Sequence, residues 1–433
     1  MTGWFRLAVA LPLVLAACGG PRLADMPNVY AGSEGYPAAD VAPAARTVRP
    51  EIWFVTDRAR LDGAPPGRRY GAGRSAEMAF GRAKMQFGEG LDWPALVARS
   101  GGDGGPGAIR LRPVETTETV RFPATPLPFD VVRARVRTLP EAQAAWDAKA
   151  AAFRDALAAA LARSERREVT VYVHGAATTF EEAQGTLANL WHWAGRPGVP
   201  LLYSWPSGNT GVFGYLRDRE AGEFTVFHLK QTLRMLADVE GLGRVNVIAH
   251  SRGADVATSA LRELAIAERA AGRVPRQSLK LGTLILSAPD LDFGIMQQRL
   301  VAEWFGPVPE QINVYINPGD GPLGLAQTLL SGQRFGRIRP EDLTEPMRET
   351  FARIGSVHFI SVEEARPALG HNYFRENPAV VSDIVLTLRH GVLPGDDLRP
   401  MRQLSGNFWS LHSTYPAPRD AQPTAARSGT RHR

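Results

Sequence analysis

The chain lacks several features that would narrow its class. It has 433 residues and one cysteine, so no internal disulfide can form and stability must come from an apolar core. It has no HExxH motif and no clustered metal-ligand spacing, which argues against a metal enzyme and predicts no cofactor. A composition of 44% hydrophobic and 22% charged residues is that of a globular protein.

The chain also has only a small excess of positive charge. Its formal net charge is +6, and half of this excess comes from residues 419–433, which hold four arginines and one aspartate. This tail has no interleaved aromatic residue and no recognition module, so a solvated, disordered end is expected. A pI of about 9.6 is the one feature that suggests nucleic-acid binding, and the sequence predicts no nucleic-acid partner.

The apolar run at the start of the chain is too short for a transmembrane helix. In "MTGWFRLAVALPLVLAAC", Arg6 precedes an apolar run over residues 7–17, the pattern of an export signal. The closing "LAAC" resembles the lipobox of bacterial lipoproteins, whose cysteine is lipidated. The resemblance implies a lipid anchor at Cys18, a membrane partner and a place in the bacterial cell envelope, on its periplasmic side. The alternative is a buried thiol after an ordinary signal.

Composition divides the chain into four parts. Residues 1–18 are predicted to be a lipoprotein signal peptide. Residues 19–50 are rich in Pro, Ala and Gly without periodicity, which predicts a flexible tether. Residues 51–395 are predicted to form one globular domain, and residues 396–433 a C-terminal extension with a disordered basic tail.

Within the domain, apolar runs alternate with helical segments. "EIWFVTDR" predicts a first strand, residues 61–130 have no clear pattern, and "FDVVRARVR" predicts another strand. After a predicted helix come six apolar runs, at 169–175, 199–206, 244–250, 281–290, 311–320 and 356–362. Continuous apolar strands separated by helices are typical of a parallel sheet buried on both faces, so the predicted fold class is α/β, doubly wound.

Reactive groups in such sheets collect at the carboxyl ends of the strands. Ser251 stands at one of these ends, in "VNVIAHSRGADVA". Here "AHSRG" is the G-x-S-x-G nucleophile elbow with Ala249 in place of the first glycine. The helix that follows favours a developing oxyanion at its N-terminus. The alternative is a serine that only caps this helix.

A serine nucleophile needs a base and an acid, which in this fold follow it in the order acid, then histidine. Of nine histidines, His371 lies in the expected place, a loop between the last strand and the last helix. Asp320, in "NPGDGPLG", is favoured as the acid because its glycines allow a tight turn, and Asp290 is the alternative. The oxyanion hole is expected from the backbone N–H groups of Ala176 and Arg252.

Several segments taken together resemble one known family. They are "VYVHGAATTFEEA", "LLYSWPSGN", "YLRDRE", "VNVIAHSRGADV", "LILSAPDLD", "YINPGDGPLGLA" and "GHNYF". They are similar to bacterial alpha/beta hydrolases of unknown function in the esterase/lipase superfamily, over a range from about Ile52 to Gly391. The resemblance implies an alpha/beta-hydrolase fold with Ser251 as nucleophile, His371 as base and Asp320 as acid.

Two positions depart from the family's usual pattern. "HGAA" replaces HG-aromatic-Asn, and "HSRG" replaces HSMG, which puts Arg252 beside the nucleophile. Arg252 either selects anionic substrates or pairs with an acidic neighbour. The predicted function is hydrolysis of a small-molecule ester, or of another acyl substrate, through an acyl-enzyme. An amidase or acyltransferase with the same triad and a non-catalytic envelope binding protein are the alternatives.

Overall fold

A computed structural model describes residues 20–31, 35–101, 109–363 and 370–417. The predicted signal peptide with Cys18, and the chain beyond residue 417, lie outside these residues. The strands are β1 (Glu51–Arg60), β2 (Tyr70–Phe87), β3 (Leu111–Arg121), β4 (Phe129–Val132), β5 (Arg135–Thr138), β6 (Glu168–Val173), β7 (Val199–Ser204), β8 (Arg244–His250), β9 (Leu281–Ser287), β10 (Gln311–Ile316), β11 (Val357–Val362), β12 (Arg402–Ser405) and β13 (Phe408–Leu411). The helices are α1 (Trp93–Ser100), α2 (Pro140–Ala162), α3 (Phe180–Trp193), α4 (Gly211–Ala237), α5 (Arg252–Ala270), α6 (Pro275–Ser278), α7 (Phe293–Met296), α8 (Gly321–Leu330), α9 (Glu345–Ile354), α10 (Tyr373–Glu376) and α11 (Pro378–His390).

Eleven of the described strands form one sheet, in the order β12-β13-β11-β10-β9-β8-β6-β7-β1-β2-β3. The pairs from β13 to β1 are parallel, and the pairs at both ends of the sheet are antiparallel. The chain runs outward from β6 to β7 and then returns to β8 on the other side of β6. Such a reversal of direction opens a crevice at the carboxyl ends of the strands. The predicted doubly wound α/β fold is confirmed.

Apolar side chains of each central strand alternate between two cores. In β8, Val247 and Ala249 belong to the core that contains helices α2, α4 and α5, whereas Ile248 belongs to the core that contains α3 and α11. Both faces of the sheet are therefore covered by helices, which explains why its strands have no polar alternation. Among the described residues, no helix is both long and apolar enough to cross a bilayer.

The region without a clear sequence pattern contains the antiparallel end of the sheet. Strand β2 spans 18 residues and pairs with both β1 and β3. The single strand predicted from "FDVVRARVR" is wrong. The segment is a separate hairpin, because Arg133 and Ala134 have φ of 48° and 59° and turn the chain between β4 and β5.

The prediction of a flexible tether over 19–50 is wrong for the described residues of that segment. The segment packs on the face of the sheet that carries α3, and its Leu23, Tyr30, Tyr36 and Val41 are buried there. The hydroxyl of Tyr30 donates to the carbonyl of Trp193 at 2.5 Å. These buried side chains hold the segment against the sheet as a strap. Their spacing follows neither a helix nor a strand period, so the sequence pattern does not reveal them.

The extension after residue 395 also belongs to the domain, so the predicted boundary is too early. Strand β13 pairs in parallel with β11. The buried guanidinium of Arg399 donates to both carboxylate oxygens of Asp383 in α11, at 2.7 and 2.8 Å. The hydroxyls of Tyr315 and Tyr415 donate to the same carboxylate at 2.6 and 2.9 Å. Asp383 thus fastens the extension to helix α11 and strand β10.

Candidate active site

Ser251 occupies the sharp turn between β8 and α5. Its φ of 53° and ψ of −125° lie in a region that non-glycine residues rarely adopt and that costs about 1–3 kcal/mol. Its carbonyl accepts from the Ala254 N–H at 3.0 Å, which starts the helix, whereas its side chain makes no capping bond. The serine stands at the cap position without acting as a side-chain cap, so the strained turn directs its hydroxyl elsewhere.

Two glycines allow the chain to pass this turn closely. A Cβ on Gly175, after β6, would lie 2.9 Å from Cβ of Ser251 and 3.0 Å from Nδ1 of His250. A Cβ on Gly253 would lie 2.2 Å from the carbonyl oxygen of His174. The distances of 2.9 and 2.2 Å are shorter than a Cβ atom tolerates, so the loop after β6 and the start of α5 can meet only with glycine at these positions.

The hydroxyl of Ser251 meets His371, and His371 meets Asp320. The distances are 2.8 Å from Oγ to Nε2 and 2.8 Å from Nδ1 to Oδ2. An ionised Asp320 carries no proton, so Nδ1–H donates to it and Nε2 is left to accept from the serine. The other oxygen of Asp320 accepts the Leu323 N–H at 2.9 Å and caps α8. The buried carboxylate therefore accepts one hydrogen bond on each oxygen, from Leu323 N–H and from His371 Nδ1–H, and these two bonds fix its orientation.

Asp290, the alternative acid, does not contact His371. Its Oδ2 accepts from the Tyr215 hydroxyl at 2.5 Å, and its Oδ1 lies 3.9 Å from Nη1 of Arg334. Burial, together with the charge of Asp290, raises the pKa of Tyr215, so the tyrosine stays a donor. The structure therefore brings Ser251, His371 and Asp320 together and leaves Asp290 beside them in another cluster.

The ring of His250 packs against the ring of His371, a contact that the sequence did not predict. The two ring centroids lie 4.8 Å apart, and Nε2 of His250 is 3.0 Å from the carbonyl oxygen of His371. Burial, and then the neighbouring His371, lower the pKa of His250 well below its usual value. A neutral ring can donate from Nε2 to that carbonyl, which fixes the backbone of the loop. The one sequence feature that could have indicated this role is the position of His250 directly before Ser251.

The expected oxyanion loop, after β6, is held by a buried carboxylate and a buried guanidinium. Asp218 accepts the Ala177 N–H at 2.7 Å, and Ala177 itself has φ of 53°. Arg58 donates to the Thr178 carbonyl at 2.8 Å and lies 3.2 Å from Nε2 of His174. Ala176 thus sits between anchored residues, next to Gly175 and the serine. Both anchors lie in segments that the sequence analysis quoted, "FVTDR" and "YLRDRE", without a role.

The sequence profile of one family matches this chain. The family is described as "Alpha/beta hydrolase of unknown function (DUF900)", and the match covers residues 149–389, more than half of the chain. The chain belongs to this family. The resemblance was expected from Ile52 onward, whereas the match starts later and leaves out β1 to β5. Neither curated proteins nor solved structures gave a match.

Arg252, the residue directly after Ser251, is buried. Arg252 pairs with Asp255 at 2.7 Å and with Glu223 of α4 at 3.3 Å, while its Nε has no partner among the described residues. Of the two expected roles, pairing with acidic neighbours is observed. As the first residue of α5, Arg252 has a backbone N–H that no carbonyl of the helix can accept.

Within the described ranges, no group of three or more His, Cys, Asp or Glu residues is placed to hold a metal ion. His174 is buried against Trp205, and burial together with Arg58 lowers its pKa well below the usual value. It is therefore a neutral part of the loop's support.

Proposed function

We propose that this alpha/beta hydrolase is a serine hydrolase of carboxylic esters that works through an acyl-enzyme. The observation that carries the proposal is the unbroken chain of two 2.8 Å hydrogen bonds from Ser251 through His371 to Asp320. The strained backbone of the serine is a second support, because such strain is commonly stored at active sites.

The proposed reaction uses these groups in sequence. Oγ of Ser251 attacks the ester carbonyl carbon while Nε2 of His371 takes its proton, and the charge of Asp320 stabilises the imidazolium. The carbonyl oxygen becomes an oxyanion that accepts from the N–H groups of Ala176 and Arg252. Collapse expels the alcohol, which His371 protonates. Water, deprotonated by the same nitrogen, then cleaves the acyl-serine and releases the acid.

A fluorophosphonate probe tests the nucleophile. The full chain, in detergent, should be labelled stoichiometrically, and Ser251→Ala should not be labelled. Ser259→Ala is the matched control, because Ser259 is a buried serine in α5, the helix that follows Ser251, and should not affect labelling. Labelling that persists in Ser251→Ala would assign the nucleophile elsewhere. No labelling of any variant would favour a non-catalytic binding protein.

A substrate panel separates the reactions that share this triad. Esters, thioesters and amides of one acyl chain should be assayed together, with an added alcohol to detect acyl transfer. Ester cleavage with water as the acceptor supports the proposal. Amide cleavage or transfer to the alcohol as the faster reaction would replace it with an amidase or an acyltransferase.

We also propose that Cys18 is lipidated and holds the enzyme on a membrane of the bacterial envelope, on the periplasmic side. The support is the "LAAC" motif after an apolar run; Cys18 lies outside the described residues. Metabolic labelling with a fatty acid should mark the wild type and not Cys18→Ser. The variant should also leave the membrane fraction. A variant that keeps the label and the membrane location would contradict the anchor.

A further inference from the structure

A cavity of about 140 Å³ lies beside Arg252, at the carboxyl edge of the sheet. Its walls come from α4, from the start of α5, from the segment after β9 and from the end of α8. Four arginines line it: Arg219, Arg252, Arg299 and Arg334. Arginine is the side chain best suited to bind carboxylate or phosphate groups through two parallel hydrogen bonds.

The most buried part of this cluster is Arg334, whose side chain is 4% exposed. Its guanidinium donates no hydrogen bond to any described residue, and its Nε is buried without a partner. Within 4.0 Å its carboxylate partner among the described residues is Oδ1 of Asp290, at 3.9 Å, which is beyond hydrogen-bond distance. That oxygen accepts no hydrogen bond, whereas Oδ2 of Asp290 accepts from Tyr215. A buried guanidinium that donates no hydrogen bond is rare, because its desolvation is costly. An acceptor from outside the chain would resolve it.

Two further arginines of the cavity have no partner among the described residues. Within the described part of the chain, Arg219 and Arg299 make no hydrogen bond and no ion pair within 4.0 Å.

The carboxylates around the cavity are engaged elsewhere. Asp255 and Glu223 bind Arg252, and Asp292 accepts the Ile295 N–H at 2.9 Å as the cap of α7. The cavity therefore combines engaged acidic groups with three guanidinium groups, those of Arg219, Arg299 and Arg334, that donate no hydrogen bond to a described residue.

The cavity lies close to Ser251 in the chain, because residues next to the nucleophile line it or hydrogen-bond to it. Arg252 follows Ser251 directly, and the carbonyl of Ser251 accepts the Asp290 N–H at 3.1 Å. Apolar side chains of Leu291, Ile295 and Leu330 form the apolar part of the wall. A group that enters here meets methyl groups and guanidinium groups, which suits a short carbon chain ending in an anion.

We propose that this cavity binds an oxyanion of the substrate, a carboxylate or a phosphate group, with Arg334 as its principal donor. This proposal rests on the proposed function and adds the substrate class: esters that carry a second, anionic group on a short chain. The anion occupies the unfilled donors of Arg334 and holds the ester carbonyl near Ser251.

Matched ester pairs test the preference. Mono(4-nitrophenyl) esters of straight dicarboxylic acids with four to eight carbons are compared with the neutral ester of the same chain length. At one length, kcat/KM should be about 10- to 100-fold higher for the anionic ester, as expected for charge-assisted hydrogen bonds. Arg334→Gln should bring the ratio close to one. Arg348→Gln, on the exposed surface of α9, is the control and should keep it.

Folding of the variants is checked by circular dichroism. If Arg334→Gln does not fold, Arg299→Gln at the half-buried rim of the cavity replaces it and should lower the ratio at least threefold. A wild-type ratio near one at every chain length would overturn the proposal, as would a high ratio that neither variant lowers.

Binding without catalysis separates this proposal from the hydrolase proposal. Ser251→Ala is titrated calorimetrically with inorganic phosphate and with glutarate, which distinguishes a phosphate from a carboxylate ligand. Saturable binding that is lost in Ser251→Ala/Arg334→Gln supports the oxyanion site even if the wild type hydrolyses no ester; only the hydrolase proposal would then fail. No binding of either anion to Ser251→Ala would overturn the site.

Discussion

Replacing Asp320 with asparagine tests the chain of hydrogen bonds at its most informative point. Oδ1 of Asp320 accepts the Leu323 N–H at 2.9 Å, and Oδ2 faces Nδ1 of His371 at 2.8 Å. In Asp320→Asn the amide oxygen keeps the cap of α8, so the amide NH₂ must face Nδ1. Nδ1 then becomes an acceptor and the ring proton moves to Nε2, where it blocks proton transfer from Ser251.

The size of the loss follows from the geometry. Two unit charges 2.8 Å apart interact by about 6 kcal/mol at an effective dielectric constant of about 20. That stabilisation of the imidazolium corresponds to about 10⁴-fold in rate. Stability should change little, because asparagine is as good a helix cap as aspartate. We therefore expect kcat to fall by about 10³- to 10⁴-fold, with KM nearly unchanged.

The assay is hydrolysis of a 4-nitrophenyl ester at neutral pH, with burst titration of active sites. Asp290→Asn is the comparison, because Asp290 is buried on the same edge and binds Tyr215 rather than His371. It should lose far less kcat than Asp320→Asn. The reasoning is refuted if Asp320→Asn keeps more than a tenth of the wild-type kcat, or if Asp290→Asn loses more.

Three other predictions concern Gly175, His358 and Asp383. Gly175→Ala should lower kcat at least tenfold and stability by about 1–3 kcal/mol, because its Cβ would press on Ser251; unchanged kinetics would contradict the close approach. Burial lowers the pKa of His358 to about 4, so the stability it confers above pH 6.5 is lost as pH falls toward 4, by about 2 kcal/mol at pH 5. Urea unfolding of His358→Phe at pH 8 and pH 5 should show a smaller difference than the wild type, and an equal difference would contradict this. Asp383→Ala should lower the free energy of unfolding by about 3–5 kcal/mol, because it leaves Arg399 buried without its partner; a loss below 1 kcal/mol in the same assay would contradict it.

Much of the parallel core could be predicted because each strand there is buried on both faces. The strand at 244–250 is observed with the predicted bounds, and the last helix, α11, begins after the capping residue Asn377 and ends before Gly391. Such segments can be recognised in the sequence by continuous apolar runs and by capping residues, which are local signals. The elbow at Ser251 is equally local, since its small neighbours stand beside it in the sequence.

The remaining parts depend on contacts between distant residues. Strand β2 carries glycines and charges because it lies near the antiparallel end of the sheet, so its sequence has no clear period. Arg58 and Asp218 reach the oxyanion loop from β1 and α4, and nothing in their own segments indicates that target. Asp320 and Asp290 both lie in the loops that follow strands, β10 and β9 respectively, and only the path of the chain after β10 brings one of them to His371.

The strap before β1 determines which part of the domain would lie nearest to a lipid anchor at Cys18. Gly20 runs beside the first turn of α3, where its ideal Cβ lies 3.7 Å from Oε1 of Glu181, on the same edge of the sheet as Ser251. Two residues of chain reach at most about 7 Å. A lipid on Cys18, as proposed above, would therefore hold the edge of the sheet that carries Ser251 close to the membrane surface.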